Sequence, residues 1–268
     1  MIPQRWTRRS DGRAAPPAIG ARAAPPGNGA AANGPTPPPL PTSTDWQSWL
    51  RTTERKRRLL ARIDGPTLRP FWSAYFVGAT DSSFRLDGFV VGEVDLWAAL
   101  APGWGRRSLG ARQQQRVRNH VAILRSVERM LARGHVLKPH DVVRWYTSVA
   151  CGLSTTRLDD AAAVRLDGVV RQLNSPHLRL APAVQSIARL HHQLLAEPVV
   201  PGFNGILARL LLRWHLGRCG LPPVLFDATR DGGVLGDEMK LQSRLLEMID
   251  QSHDAMLGGG ISGSAGGA

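Results

Sequence analysis

Apolar residues recur every three or four positions through most of the chain between residues 45 and 257, the period of an α-helix that buries one face. Residues 111–133 show it most clearly. Val117, Val121, Leu124, Val127 and Leu131 fall on one face, while Arg112, Arg116, Arg118, Arg125, Arg129 and Arg133 take the rest. The same spacing predicts a helix from Pro182 to Ala196 through Val184, Ile187, Leu190, Leu194 and Leu195. Another follows residue 204, carrying Ile206, Leu207, Leu210, Leu211 and Trp214. Further helices are expected over 45–62, from Pro139 with Val142, Val143, Trp145, Tyr146 and Val149, and over 237–256. One stretch departs from this pattern. Between Arg165 and Leu173 a glycine and adjacent valines lead into Asn174, Ser175 and Pro176, which predicts a small β-hairpin. The expected fold class is all-α with one hairpin.

Composition adds boundaries. The first 44 residues hold half of the 20 prolines, with Ala and Gly filling most of the rest. Such a segment has little to bury and is expected to be disordered. The Gly/Ser-rich tail over 258–268 is expected to be flexible, which leaves one domain over 45–257. No run of 18 apolar residues is present and the first ten residues lack a signal-peptide core, so a cytoplasmic protein without a membrane span is expected. Cys151 and Cys219 have no Cys or His at ligand spacing and read as small buried apolar residues.

The net charge of +13 raises nucleic acid as a partner. Lysine, however, occurs only at Lys56, Lys138 and Lys240, and the arginine excess accompanies heavy Ala, Gly and Pro usage. That is a compositional bias along the whole chain, and nucleic-acid binding is not expected.

The candidate chemistry lies over 196–212, A-E-P-V-V-P-G-F-N-G-I-L-A-R-L-L-L. A Pro/Gly loop opens onto a helix for which Asn204 is the expected N-cap. The first N–H groups of such a helix lack internal partners and face outward with the positive end of the macrodipole, so they suit a phosphate. Arg209 is placed to reach back from the second turn. Inside the loop there is no His, Asp or Glu, and Glu197 stands at its edge. His191 and His192 are adjacent, hence on different helix faces, and read as core histidines.

These residues, with L-G-R-C-G-L-P-P-V at 216–224, resemble the core of Fic (Fido-fold) proteins, whose signature is H-P-F-x-D/E-G-N-G-R-x-x-R. The resemblance spans about residues 60 to 240. Arg118 and Asn119 open a helix similar to the family's Asn-led helix, and Arg165 to Leu173 fall where the family places its flap hairpin, a clamp for target peptides. Ser83 to Gly88, S-F-R-L-D-G, is similar to the inhibitory signature S/T-x-x-x-E-G/N, with Asp87 in place of Glu. The resemblance implies an all-α Fic-like domain related to enzymes that transfer AMP from ATP to protein hydroxyls.

The signature is only partly kept. Asn204, Gly205 and Arg209 match its Asn, second Gly and second Arg, and are the implied nucleotide-binding residues, with ATP the candidate nucleotide. The catalytic His falls on Pro198, the acidic metal ligand on Gly202, the first Gly on Phe203 and the first Arg on Ile206. The resemblance therefore implies a catalytically impaired nucleotidyltransferase in which Mg²⁺ is not expected. Glu197, shifted by one residue, is the candidate base of an alternative, active enzyme. A non-enzymatic interaction module, binding a protein partner through the flap near Arg165 to Leu173 or through the arginine-rich helix over 111–133, is the competing class.

Overall fold

The computed structural model describes residues 43–63, 65–92, 95–97, 110–150, 160–175, 180–200 and 203–258. The expected N-terminal and C-terminal tails lie, apart from their inner ends, outside the described residues, as do Cys151, Pro201 and Gly202. The chain divides between residues 36 and 37, and every described residue belongs to the second unit.

That unit is all-α. Its fully described helices are α1 (Ser43–Leu60), α2 (Arg69–Leu86), α3 (Ala111–Ala132), α4 (Pro139–Ala150), α5 (Asp160–Asn174), α6 (Leu180–Ala196), α7 (Asn204–Arg218), the short α8 (Ala228–Asp231) and α9 (Glu238–Leu257). None is long and apolar enough to cross a membrane.

Helix α7 is the axis of the packing, touching α2, α3, α4, α5 and α6. Every residue from 206 to 216 is buried. A helix buried all round belongs at the centre of a fold, and here the burial extends to Arg209, Arg213 and His215, so the core is built around polar and charged groups that need partners. Trp214, fully buried, packs against Trp145 of α4 at 6.2 Å and His135 at 6.3 Å. Asn119 donates to Ser148 O at 2.6 Å and fastens α3 to α4. Lys56 of α1 bridges Asp250 and Asp254 of α9, each at 2.6 Å. Cys219 is only partly buried, and burial still raises its thiol pKa to about 11.

The expected hairpin is not there. Residues 165–173 lie inside α5, where Ala162, Leu166, Val170 and Leu173 recur at helical spacing and are the buried residues. Gly168 faces open space. In mid-helix it costs only about 0.5–1 kcal/mol against Ala, too little to outweigh that buried stripe. A helix offers no strand edge to an extended peptide, so the expected partner contact through a flap at Arg165 to Leu173 loses its structural basis.

Candidate functional site

The last turn of α2, the N-terminus of α7 and the end of α6 meet at one site. Helix α7 starts directly after Phe203, whose backbone sits in the left-handed region at φ 47, ψ 13. The expected cap is therefore corrected: Asn204 is the first helical residue, and the residue at the cap position, Phe203, makes no side-chain cap. The Asn204 amide turns back instead, donating to Leu194 O at 2.5 Å and accepting from Val199 N at 3.2 Å. Asn204 thus ties the loop to α6, using its donor and acceptor groups within the protein.

The free N–H groups of α7 meet a carboxylate from another helix. Asp87, immediately after α2, accepts from Ile206 N through Oδ2 at 3.2 Å and from Arg209 Nη2 through Oδ1 at 2.5 Å. Arg209 also donates from Nε to Ser83 Oγ at 3.1 Å and from Nη2 to Ser83 O at 2.7 Å. Ser83 in the last turn of α2 and Asp87 just after it are one turn apart, so the end of the helix presents three acceptors to a single guanidinium. The Arg209 side chain is 7% exposed and that of Asp87 14%. Desolvation pulls the Arg209 pKa down while Asp87 opposes it, so the pairing is what keeps this buried cation in place. Such a pair adds the attraction of opposite charges to that of an anion at a helix N-terminus, each strengthened by partial burial.

Gly205 makes the approach feasible. A Cβ at this position would collide with Asp87 Oδ1 and stand 3.1 Å from Arg209 Nη1. The glycine is thus required by close contact between α2 and α7 and not by backbone freedom, since its φ is helical.

An open groove of about 420 Å³ adjoins the pair, lined by Asp87, His192, Ala196, Gly205, Arg209 and the turn at Leu235 and Gly236, with Leu86 and Leu195. His192 is half-buried, and its Nδ1 is buried without a partner. The two adjacent histidines therefore differ. His191 is 2% exposed, donates from Nδ1 to Ala208 O at 3.2 Å and stacks on Phe226. Burial first, then the Arg209 charge, lower its ring pKa to about 3. His120 of α3 is held neutral in the same way, also at about 3, beside Thr80 Oγ1 at 2.9 Å. Glu197 lies apart from this groove: it is exposed at the end of α6, with its N–H on Gln193 O at 2.8 Å.

Beyond Phe203 the site is closed by an aromatic stack. The Phe203 ring lies 6.1 Å from that of Phe89 at an interplanar angle of 15°, and the Arg116 guanidinium covers both rings, at 4.7 and 5.1 Å from their centroids. Glycine adopts positive φ freely, whereas an L-residue there costs about 1–2 kcal/mol. Phe203 holds that strained conformation where the aligned signature has its first Gly. Phe89, Arg116 and His192 were not singled out for this site by sequence; only the misfit of Phe203 to a glycine position signalled part of it.

The arrangement is an anion site at a helix N-terminus, occupied by an internal carboxylate. The residues fit a second anion poorly while Asp87 is in place. Among the described residues Asp87 is the one carboxylate lining the groove, and both its oxygens are engaged.

No protein-family model matches the chain, and no curated protein matches it by sequence. Among solved structures it is similar to a Fic domain containing signaling protein from Bacteroides thetaiotaomicron VPI-5482, with a TM-score of 0.65 and 13% identity over 79% of this chain and 97% of that one. It is similar also to a fragment of Fic-1 from C. elegans, with a TM-score of 0.68 and 20% identity over 81% of this chain and 73% of that one. A single-residue variant of that fragment gives 0.67 and 19% over the same shares. At these identities the likeness is one of architecture, and the chain has an all-α, Fic-like fold.

Proposed function

We propose that the chain is a divergent relative of the Fic AMP-transferases. In this reading the N-terminus of α7 and Arg209 form a nucleotide-phosphate site that Asp87 keeps closed, and transfer chemistry is impaired. The observation that carries it is the double engagement of Asp87, one oxygen on Ile206 N and the other on Arg209. Those are the two donors an incoming phosphate would need. Asn204 and Gly205 then act by shaping the site, the first by anchoring the loop and the second by allowing α2 to approach.

Impairment follows from residue chemistry. Pro198 has no side-chain base, Gly202 no side-chain ligand for Mg²⁺, and Ile206 no charge to neutralise a transferred phosphoryl group. General-base and electrostatic contributions are each worth about 10²-fold or more in rate. Glu197 as a substitute base would have to act from an exposed position outside the groove. With residues 165–173 helical, the flap form of the interaction-module reading has no strand edge to use.

The test is calorimetric titration of the protein with ATP, with and without Mg²⁺, alongside intact mass after incubation. Weak binding insensitive to Mg²⁺ and an unchanged mass are expected. A gain of one AMP that disappears in Glu197→Ala would overturn the impairment. Absence of ATP binding in both the wild type and Asp87→Ala would overturn the nucleotide site.

A further inference from the structure

The positive charge of the folded unit is not spread evenly. Residues 43–63, which hold α1, and 110–138, which hold α3, carry 13 Lys and Arg against 3 Asp and Glu. The remaining described residues carry 12 against 14. Among the described residues the cationic excess therefore belongs to two helices, and the rest is slightly acidic.

On α3 the cations form a row. Arg118, Arg125, Arg129 and Arg133 follow one another, with Ala122, at the three- and four-residue spacing of one helix face, and all are exposed. The row extends about 22 Å along the axis. Arg125 rests against the Phe76 ring at 5.7 Å. Among the described residues Arg125, Arg129 and Arg133 make no ion pair, and Glu128, the one carboxylate of α3, is engaged by Arg213. Arg125 with Arg129, and Arg129 with Arg133, set like charges four residues apart, which destabilises a helix. Arg112 stands in the first turn, where the macrodipole disfavours a cation and no acidic residue accompanies it. The stability of α3 does not account for its basic face.

Helix α1 repeats the arrangement. Arg51, Arg55, Arg58 and Arg62 share one exposed face at the same spacing. Glu54 pairs with Arg58 at 3.2 Å and Arg57 at 3.4 Å, while Arg51, Arg55 and Arg62 make no ion pair among the described residues. The two rows run to one place. Ala61 and Ala132, both exposed, line the same groove, and Arg62 and Arg133 directly follow them in the chain.

We infer that α1 and α3 form a sequence-independent contact surface for the phosphate backbone of duplex nucleic acid. Affinity for such a polyanion comes from displaced counterions, grows with each cation engaged and needs no apolar contact. Guanidinium groups also match phosphate oxygens in pairs. A protein partner needs apolar or aromatic anchors, and a membrane surface needs an apolar helix face. Of the large apolar residues described on these two helices only Leu59 is exposed. The absence of an exposed aromatic ring among them leaves no stacking platform for unpaired bases, which favours a duplex over a single strand. None of these arginines lines the groove beside Asp87, so the surface is independent of the nucleotide reading.

Binding of full-length protein to a fluorescent mixed-sequence DNA duplex of about 20 base pairs is followed by anisotropy between about 50 and 200 mM salt. Saturable binding at the lower salt is expected, with similar affinity for a second duplex of unrelated sequence. The log–log salt slope is expected near about −5, that of about six phosphate contacts. Arg125→Gln/Arg129→Gln/Arg133→Gln and, separately, Arg51→Gln/Arg55→Gln/Arg62→Gln are each expected to weaken binding at least about tenfold and to flatten the slope by about 2–3. Arg165→Gln/Arg171→Gln/Arg189→Gln removes the same charge from exposed positions on α5 and α6 and is expected to weaken binding less than about threefold. The replaced side chains are all exposed, so each variant is expected to melt within a few degrees of the wild type. No saturable binding by the wild type, or weakening by the α5 and α6 variant equal to that by the other two, would overturn the inference. So would binding to poly-glutamate or to phosphatidylserine vesicles as tight as to the duplex.

Discussion

Replacing Phe203 by Gly and by Ala separates two opposing contributions at the mouth of α7. Either change removes the stack on Phe89 and the cover by Arg116. An aromatic pair of this kind is worth about 0.5–1.5 kcal/mol and a partly exposed cation–π contact about 0.5–1 kcal/mol. With some loss of apolar burial, Phe203→Ala is expected to destabilise by about 2–3 kcal/mol. Phe203→Gly loses the same contacts but relieves the left-handed backbone at φ 47, worth about 1–2 kcal/mol, against about 0.5–1 kcal/mol for the extra chain entropy of Gly. The glycine variant is therefore expected to be the more stable of the two, by up to about 1.5 kcal/mol or 3–6 °C in Tm for a domain of this size. Urea and thermal denaturation followed by far-UV circular dichroism measure both. At an ordinary backbone position the order is reversed, so an alanine variant equal to or more stable than the glycine variant refutes the strained-loop argument.

Gly205→Ala is expected to destabilise the wild type by about 1–3 kcal/mol, because its Cβ meets Asp87. In an Asp87→Ala background the same change is expected to be neutral or stabilising by up to about 1 kcal/mol, the helix preference for Ala over Gly; additivity in the double-mutant cycle would contradict the contact. The buried histidines give a pH dependence of definite sign. His120 and His191 have folded pKa values of about 3, below the unfolded value of about 6.5. Below pH 6.5 the unfolded chain therefore binds protons that the folded one does not, and the stability present above that pH is lost as pH falls toward 3. The initial slope is up to about 1.4 kcal/mol per pH unit for each ring. Thermal melts from pH 8 to pH 5 are expected to be flat above about pH 7 and to decline below 6.5; a constant Tm down to pH 5 would contradict the neutral burial of both rings.

The helices whose partners are apolar were legible from spacing alone, as with Val117, Val121, Leu124 and Val127 on α3 or Val184, Ile187 and Leu190 on α6, all buried as expected. Helix α2 was not, because it buries Thr80, Ser82 and Ser83 beside its aromatics, and polar groups on the inner face erase the apolar period. Helix α5 was misread because Gly168 and the adjacent Val169 and Val170 imitate a strand, whereas the buried stripe Ala162, Leu166, Val170 and Leu173 decides the matter only once α7 is there to pack against. At the site, the motif spacing brought Asn204, Gly205 and Arg209 together and the S-x-x-x-D pattern brought Ser83 and Asp87 to Arg209. The role of Asn204 was not legible, since capping depends on the preceding backbone, and Phe203 places it in a conformation that turns the Asn204 amide toward Leu194 and Val199.

The central claim is that Asp87 occupies the position of a ligand phosphate. ATP affinity measured by calorimetry on the wild type and on Asp87→Ala, with circular dichroism confirming that both are folded, tests it most directly. Removing the internal competitor is expected to tighten binding at least tenfold, about 1.4 kcal/mol. Equal or weaker ATP binding by the folded Asp87→Ala variant would contradict the account.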